Sequence, residues 1–366
     1  MNISNTRQCT EADDQIMRAI STSPTLLSVL FIQTTFSIIA QPLLILAIRN
    51  IFRMSLIHRN TRIILIVYLA TIMVHSMSRI LLHTTDLVVY LSPHVSGCEI
   101  MPSVIRCFIM RVPLNYTIYL SCSSTFMIAL ERLISTFEAK IYESNKSVAF
   151  LLLALQARFT IASVLFAIMY SGTDLSATNK LYYCHATSVD VPARTIVPIS
   201  ALIVLQVSAV VILKLLECVN KRKSAKQRLN PDLKVRYNVG ENLRTIKIVL
   251  PFCYASCVFT SIFLAIMCTI IFFHESFTKA IYYALVDGSM LLPAYGLILP
   301  TIIKRMNAKV NEKSNSEFQR HIAPGGGNEV AAVYFDTLTS AWRGEKTKKF
   351  DKFPKFSRNY FRIKNV

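Results

Sequence analysis

The sequence predicts an all-α integral membrane protein: a bundle of seven transmembrane helices with its N-terminus outside the cell and its C-terminus in the cytoplasm. Seven long apolar stretches separated by short polar loops indicate this fold, because a helix of about 20 apolar residues crosses the roughly 30 Å hydrocarbon layer. Composition agrees, since 53% of the 366 residues are hydrophobic and 17% are charged, and the mean hydropathy is +0.44. The basic residues gather in alternate loops, and this asymmetry sets the orientation.

The predicted spans are Leu26–Ile48, Ile63–Leu82, Cys107–Leu130, Val148–Met169, Ile196–Leu216, Ile246–Phe273 and Lys279–Ile303. They divide the chain into an extracellular N-terminus (residues 1–25), a transmembrane domain (26–303) and a basic cytoplasmic tail (304–366). The N-terminal residues lack the basic start and short apolar core of a cleavable signal peptide, so span one is expected to act as the insertion signal. Pro293 and Pro300 both lie in span seven, which makes it the best candidate for a moving element.

The net charge of +19 comes from basic residues beside the spans. The loop after span one contains Arg49, Arg53, Arg59 and Arg62 without an acid, and basic residues also crowd the loop after span five and the tail. The loops of the opposite side carry acids and few bases. Because Lys and Arg in short loops mark the cytoplasmic side, the charge pattern is a topology signal, and we exclude nucleic acid as a partner.

The predicted topology also sorts the nine cysteines. Five lie within spans or at the inner end of one, where we expect them to pack as small apolar residues. Cys9, Cys98, Cys107 and Cys184 lie at or beyond the outer surface, where disulfides form, and four cysteines allow three pairings. A Cys107–Cys184 bond would anchor the longest outer loop over the bundle and is the favoured pair, with Cys9–Cys98 as a possible second bond. Asn2 is the predicted glycosylation site, because the other two Asn-x-Ser/Thr sequences fall in a span and in a cytoplasmic loop.

Polar and ionisable side chains inside the spans mark the predicted ligand pocket, because such groups are costly in hydrocarbon and normally face the bundle interior. Arg79 lies in the outer third of span two, and Arg111 and Asn115 share one face of span three near its outer end. Asp287 lies in the outer half of span seven. A buried ion pair that fixes helix packing and a direct contact with a ligand are both open for these residues, and one does not exclude the other. Arg158, midway along span four, has no evident acidic partner.

The sequence predicts neither catalysis nor a metal site nor a cofactor. Its histidines form no His-x-x-x-His or His-Glu-x-x-His pattern for zinc, and no strand precedes the glycines at 325–327 to make a phosphate-binding loop. The alternative that remains is a polytopic membrane channel or transporter, since polar residues within spans also line permeation paths. The chain lacks the internal repeat of many transporters and a pore-like ring of acids.

Four motifs carry a resemblance to a known family: Cys107–Pro113 (CFIMRVP) and Ile128–Thr136 (IALERLIST) at the two ends of span three, Arg236–Arg244 (RYNVGENLR) before span six, and Leu292–Pro300 (LPAY with LP) in span seven. Together with the seven predicted spans and the outside N-terminus, these motifs make the chain resemble the nematode serpentine chemoreceptors of the class-alpha group. That group comprises the alpha, alpha/beta, beta and epsilon classes. Those proteins are seven-transmembrane G-protein-coupled receptors. The likeness covers nearly the whole chain apart from the far tail.

The resemblance implies a chemosensory receptor of the plasma membrane, multi-pass and in sensory neurons, that binds a small-molecule or peptide ligand and activates a heterotrimeric G protein. Glu131 and Arg132 would be the acid–arginine pair that restrains the resting state. Arg132 follows Cys107 by 132 − 107 = 25 residues, or about 37 Å of helix, which places them at opposite membrane surfaces. Arg244 and Lys247 beside span six would complete the coupling surface.

The resemblance also implies that spans two, three and seven are neighbours, so that Asp287 lies within reach of both Arg79 and Arg111. The chain departs from rhodopsin-like receptors in spans six and seven, which lack Trp-x-Pro and Asn-Pro-x-x-Tyr, and the roles of those motifs are not carried over. In the tail, basic residues alternate with aromatic ones between Lys346 and Lys364. This pattern predicts contact with the anionic lipids of the inner leaflet.

Overall fold

The computed structural model describes residues 9–54, 57–138, 147–170, 180–184, 193–226 and 233–322. Regular structure in these ranges is helical, apart from one isolated antiparallel bridge between Ser103 and Lys180. The predicted all-α class is therefore confirmed for the described part of the chain. Asn2 and the tail segment from Lys346 to Lys364 lie outside the described residues, and so do the predictions made for them.

The helices, numbered in chain order, are α1 (Glu11–Ser21), α2 (Pro24–Arg53), α3 (Arg59–Leu91), α4 (Gly97–Ile100), α5 (Val104–Phe137), α6 (Val148–Tyr170), α7 (Ala193–Lys226), α8 (Leu233–Phe272), α9 (Lys279–Gly288) and α10 (Leu292–Ile322). A short 3-10 turn at His274–Ser276 precedes α9. Two compact units are described separately, residues 1–307 and 308–366. In the second unit, the described residues are helical up to Ile322.

Within the described ranges, five helical stretches are long and apolar enough to cross a membrane: Pro24–Arg53, Arg59–Leu91, Ile196–Lys226, Asn238–Phe272 and Lys279–Arg305. A sixth apolar stretch, Val148–Ser163, is shorter. α5 has the length of a span at 34 residues, but its middle is rich in serine, threonine and tyrosine. Its hydroxyl groups turn back onto the helix, as when Thr117 Oγ1 donates to the Pro113 carbonyl oxygen at 2.8 Å, and so they need no water partner.

Two helices of the structure are not predicted by the sequence: the four-residue α4 and α1. α1 lies in the segment 1–25, which the sequence predicts only as an extracellular N-terminus. A capping box begins this helix, since the Thr10 hydroxyl accepts from the Asp13 amide and the Asp13 carboxylate accepts from the Thr10 amide at 2.9 Å. Met17 and Ile20 on one face of α1 are fully buried. Apolar burial and a good N-cap therefore make this short segment helical.

Span seven is two helices rather than the single helix predicted. α9 ends at Gly288 and α10 begins at Leu292. The break fits Pro293, which lies in the first turn of α10 and has no amide hydrogen to continue the helix of the preceding turn. Gln33 of α2 compensates, because its Nε2 lies 3.3 Å from the Asp287 carbonyl oxygen and 3.3 Å from the Met290 carbonyl oxygen. A side chain of another helix thus adds hydrogen bonds to backbone carbonyls at the break, where the Asp287 carbonyl also accepts from the Met290 amide at 3.2 Å.

The helices of the first unit pack in sequence order around α5, which contacts α3, α6, α7 and α8. α2 packs against α3 and α9. Large apolar side chains also point away from the bundle, and Leu151 and Val204 are 71% and 67% exposed. Helices that are apolar on their outer as well as their inner faces are typical of membrane spans.

Candidate functional site

One end of the bundle is closed by α1, α4 and residues 180–184, and we call it the cap end. Two disulfides hold these segments: Cys9–Cys98, which joins the segment before α1 to α4, and Cys107–Cys184, which joins α5 to residues 180–184. The second is the pair that the sequence analysis favoured, and the first is its possible second bond. One disulfide therefore links two cap segments to each other, and the other attaches the cap to α5 of the bundle.

Asp14 of α1 fixes α4 within the cap. Its carboxylate accepts from the Ser96 hydroxyl at 2.7 Å, from the Gly97 amide, and from Arg18 Nε at 2.8 Å. These hydrogen bonds stabilise the charged form and lower the pKa of Asp14 from 3.8 to about 2, with the Ser96 bond as the largest cause. Gly97 is required here, because a Cβ atom at this position would lie 2.5 Å from the Asp14 carbonyl oxygen.

Beneath the cap, Asp287 of α9 accepts hydrogen bonds from two other segments. Both terminal nitrogens of Arg111 lie 3.4 Å from Asp287 Oδ1, and the Tyr183 hydroxyl donates to Oδ2. Asp287 and Tyr183 are fully buried and Arg111 is 7% exposed. Tyr183 also stacks on Tyr283 with ring centroids 4.9 Å apart. Because Tyr183 adjoins the disulfide at Cys184, the covalent bond places this tyrosine over the ion pair.

Other polar side chains of α3 surround this ion pair. Arg79 Nη1 donates to His83 Nε2 at 3.0 Å, which requires that nitrogen to be unprotonated. Arg106 Nη2 contacts Asp86 Oδ1 at 3.4 Å. Arg79 is buried beside the cluster, but its direct partner is His83 and not Asp287. Asn115 of α5 is half-buried and makes no side-chain hydrogen bond within the described part of the chain. The structure therefore joins two of the four predicted pocket residues, Arg111 and Asp287.

A cavity of about 40 Å³ lies deeper in the bundle between α5, α7, α8 and the α9–α10 break. Its apolar wall includes Leu202, Phe259 and Phe263. Its polar lining is uncharged: Ser121, Cys122, Gln206, Ser256, Thr260 and Tyr295. None of the four predicted pocket residues lines it. The described residues contain no cluster of His, Cys, Asp or Glu suited to a metal ion.

At the opposite end, which we call the Arg132 end, Glu131 and Arg132 of α5 are 0% and 1% exposed. Arg132 Nε donates to Glu131 Oε2 at 2.6 Å, and Nη2 contacts Oε1. Arg132 Nη2 also donates to Thr61 Oγ1 of α3 at 2.7 Å, and the Thr61 hydroxyl donates in turn to Glu131. The two charges are thus paired and hydrogen-bonded, as burial in a low-dielectric interior demands.

The same arginine reaches α8, where Arg132 Nη1 donates to Asn242 Oδ1 at 2.9 Å. Asn242 Nδ2 donates to Thr136 Oγ1 at 2.7 Å, and Asn220 Nδ2 of α7 donates to the same oxygen at 3.0 Å. The Lys223 ammonium closes this network by donating to the Thr136 carbonyl oxygen at 2.8 Å. Side chains of α3, α5, α7 and α8 are therefore joined in one buried polar network.

Several members of these clusters were not predicted from the sequence. Asn242 and Asn220 are polar residues next to apolar spans, and Asn242 lies inside one of the quoted motifs, so a search for polar residues at span ends would have found them. Tyr183 and Thr61 carry no such signal, because single hydroxyl residues are common in loops and helices. Arg244 and Lys247, which were predicted beside span six, lie on α8 and are half-buried.

Long apolar helices, outward-facing apolar side chains and polar groups enclosed within the bundle define a multi-pass helical membrane protein. Residues 11–343 match the family described as serpentine type 7TM GPCR receptor class ab chemoreceptor, and the chain belongs to that family. The resemblance found in the sequence motifs is thereby confirmed. The family assignment supports a chemosensory receptor role.

Two relatives from Caenorhabditis elegans have related sequences. The chain is 30% identical to serpentine receptor class alpha-23 over 250 residues, which are 64% of this chain and 69% of the relative. It is 27% identical to serpentine receptor class alpha/beta-14 over 161 residues, or 43% of this chain and 40% of that relative. The second match thus spans less than half of the relative's length.

Proposed function

We propose that the chain is a chemosensory receptor with seven spans, an extracellular cap end and a cytoplasmic Arg132 end, and that it couples an extracellular ligand to a heterotrimeric G protein. The observation that carries this proposal is the buried network around Arg132, which joins four helices at one end of the bundle. The membership of a chemoreceptor family supports the same role.

The ligand side of the proposed receptor lies between the cap and the cavity. Arg79, Arg111, Asn115 and Asp287 form the proposed outer wall of the ligand pocket. Two observations support this placement. Arg111 and Asp287 form an ion pair directly beneath the cap, and residues of the α9–α10 break, a few positions after Asp287, line the cavity. A ligand that contacts the break would act on the part of span seven with the weakest backbone continuity.

The G-protein side lies at the other end. The resting arrangement holds Arg132 against Glu131, Thr61 and Asn242, so an outward movement of α8 breaks the Asn242 bond and exposes the arginine. Arg132, Arg244, Lys247 and the segment 220–245 form the proposed G-protein surface. The ligand acts only through its preference for the open arrangement, which is a population shift.

A ligand screen with a second-messenger readout tests this function in cells that express the full chain. The double variant Glu131→Gln/Arg132→Ala should abolish the response. Glu131 is replaced as well, because its carboxylate is fully buried and would otherwise lose its countercharge. Ligand binding should persist in that variant. A normal response from it would contradict the assignment of the coupling site. Ligand-evoked current in cells without G-protein signalling would instead favour a channel.

We further propose that the receptor resides in the plasma membrane of sensory neurons and that its tail lies on anionic lipids of the inner leaflet. Basic and aromatic residues alternate between Lys346 and Lys364, and each base near an anionic leaflet adds roughly 1 kcal/mol of attraction. A fluorescent peptide of residues 342–366 should bind vesicles more strongly as the anionic lipid fraction rises and as salt falls. Equal binding to neutral vesicles would contradict the electrostatic contribution.

A further inference from the structure

The cavity between α5, α7, α8 and the α9–α10 break has an uncharged lining. None of the described residues that line it is ionised at neutral pH, and its wall is mostly apolar, with Leu202, Phe259 and Phe263. Ligand pockets in proteins combine such walls with a few polar groups that fix orientation. The polar side chains of this lining therefore determine which chemical groups of a ligand the cavity can bind.

Those polar groups largely satisfy one another. Gln206 Nε2 donates to the hydroxyl oxygens of Ser256 and Thr260 at 3.0 and 3.2 Å, and its Oε1 accepts from the Thr125 hydroxyl at 3.3 Å. Thr260 Oγ1 donates to the Ser256 carbonyl oxygen at 2.9 Å. Hydroxyl oxygens keep a second lone pair after one such bond. The lining can therefore offer a ligand an isolated hydrogen bond, but no array of donors that would hold an anion.

The two arginines that α5 carries above and below the cavity are each paired with an acid. On α5, Arg111 precedes Ser121 by ten residues and Arg132 follows it by eleven, which places each arginine about 15 Å of helix from the cavity. Arg111 is paired with Asp287 and Arg132 with Glu131. An ionised ligand group would thus meet no charged side chain in the described lining of the cavity, in surroundings where unpaired charge is strongly disfavoured.

We propose that the cavity binds a small, uncharged and largely apolar molecule with a single hydrogen-bonding group. This inference rests on the proposed receptor function, since it names the class of ligand that the receptor detects. The charged cluster beneath the cap is compatible with it, because Asp287 and Arg79 are each no more than 1% exposed and neither lines the cavity.

Matched probes test the proposal on the full-length protein in lipid nanodiscs: 1-pentanol, which is neutral, and pentanoate, which has the same chain length and a charge. Pentanol should raise the Tm of the unmodified protein by about 2–4 °C at a near-saturating concentration, and pentanoate should not. Leu202→Trp, which fills the cavity, should remove the pentanol shift. Val204→Trp is the matched control, because Val204 lies two residues away on the same helix and is 67% exposed.

Three outcomes would overturn the proposal: a pentanoate shift as large as that of pentanol, a pentanol shift that survives in Leu202→Trp, or no shift of the unmodified protein with either probe. If Leu202→Trp fails to fold, Leu202→Phe adds less volume and should reduce the shift. The assay contains no G protein, so its failure is separate from a failure of coupling. A pentanol effect equal in all variants would show action on the bilayer alone and would also count against the cavity.

Discussion

Arg132 Nη1 of α5 donates to Asn242 Oδ1 of α8 across 2.9 Å, and both side chains are buried. This bond connects the helix that carries the acid–arginine pair to the helix that, in the proposed mechanism, moves away on activation. It differs from the Glu131–Arg132 contact, which lies within one helix and can persist in either arrangement. The Asn242 bond is therefore the contact that reports the relative position of the two helices.

Asn242→Ala should raise basal signalling in the absence of ligand. The change removes a hydrogen bond to a charged group, which contributes roughly 1.5–3 kcal/mol, and hence favours the open arrangement by about tenfold or more. The measurement is the ligand-independent second-messenger level at equal surface expression. Asn238→Ala, one turn earlier on α8 and half-buried, is the matched control and should leave the basal level unchanged. An unchanged basal level in Asn242→Ala would remove this bond from the mechanism.

The Arg111–Asp287 pair should behave as a coupled unit in thermal unfolding. Either Arg111→Met or Asp287→Asn alone leaves a buried charge without its partner, at a cost of about 3–5 kcal/mol. The double variant should lose less than the sum of the two single losses, because neither charge then remains. Tyr183→Phe, which removes a hydroxyl donor to Asp287, should cost less than either charge removal. Strictly additive losses would mean that the two residues stabilise the protein independently.

Loss of the Cys107–Cys184 bond should lower both stability and surface expression. A disulfide contributes roughly 2–4 kcal/mol, and here it also places Tyr183 against Asp287. Cys184→Ser should therefore reduce the Tm and weaken the thermodynamic coupling between Tyr183 and Asp287. Cys268→Ser, which alters a free cysteine of α8, is the control. Equal Tm values for the two variants would indicate that the bond adds nothing to the folded receptor.

The contact of Asp14 with α4 should depend on pH in the acidic range. The pKa of Asp14 falls from 3.8 to about 2 on folding, so its contribution is complete above 3.8 and is lost as the pH falls through about 2. The difference in Tm between the unmodified protein and Asp14→Asn should stay constant from pH 7 to 5 and shrink from about pH 4 downward. If the difference in Tm between the two proteins already vanishes at pH 6, the pH dependence belongs to a group other than Asp14.

Several elements followed from the sequence because they depend on local chemistry. A run of apolar residues longer than the hydrocarbon thickness is helical wherever it lies, since every backbone polar group must be satisfied within the segment. The bounds of α2 and α6 accordingly contain the spans predicted for them. α1 was not predicted, because it depends on the apolar cluster that buries Met17. Pro293 marked span seven as a candidate moving element, but the full break into two helices was not predicted, since it also involves Gln33 of another helix.

The sequence by itself determined that this chain is built from long apolar helices, that charged residues lie inside them, and that its motifs are those of a serpentine chemoreceptor. These properties belong to single segments. Only the tertiary structure decided that Asp287 pairs with Arg111 rather than Arg79, that Asn242 is the interhelical partner of Arg132, and that the cavity lies below the predicted pocket residues. The physical reason is that partner choice and enclosed volume depend on the rotation and depth of each helix against its neighbours, which packing sets and hydropathy does not encode.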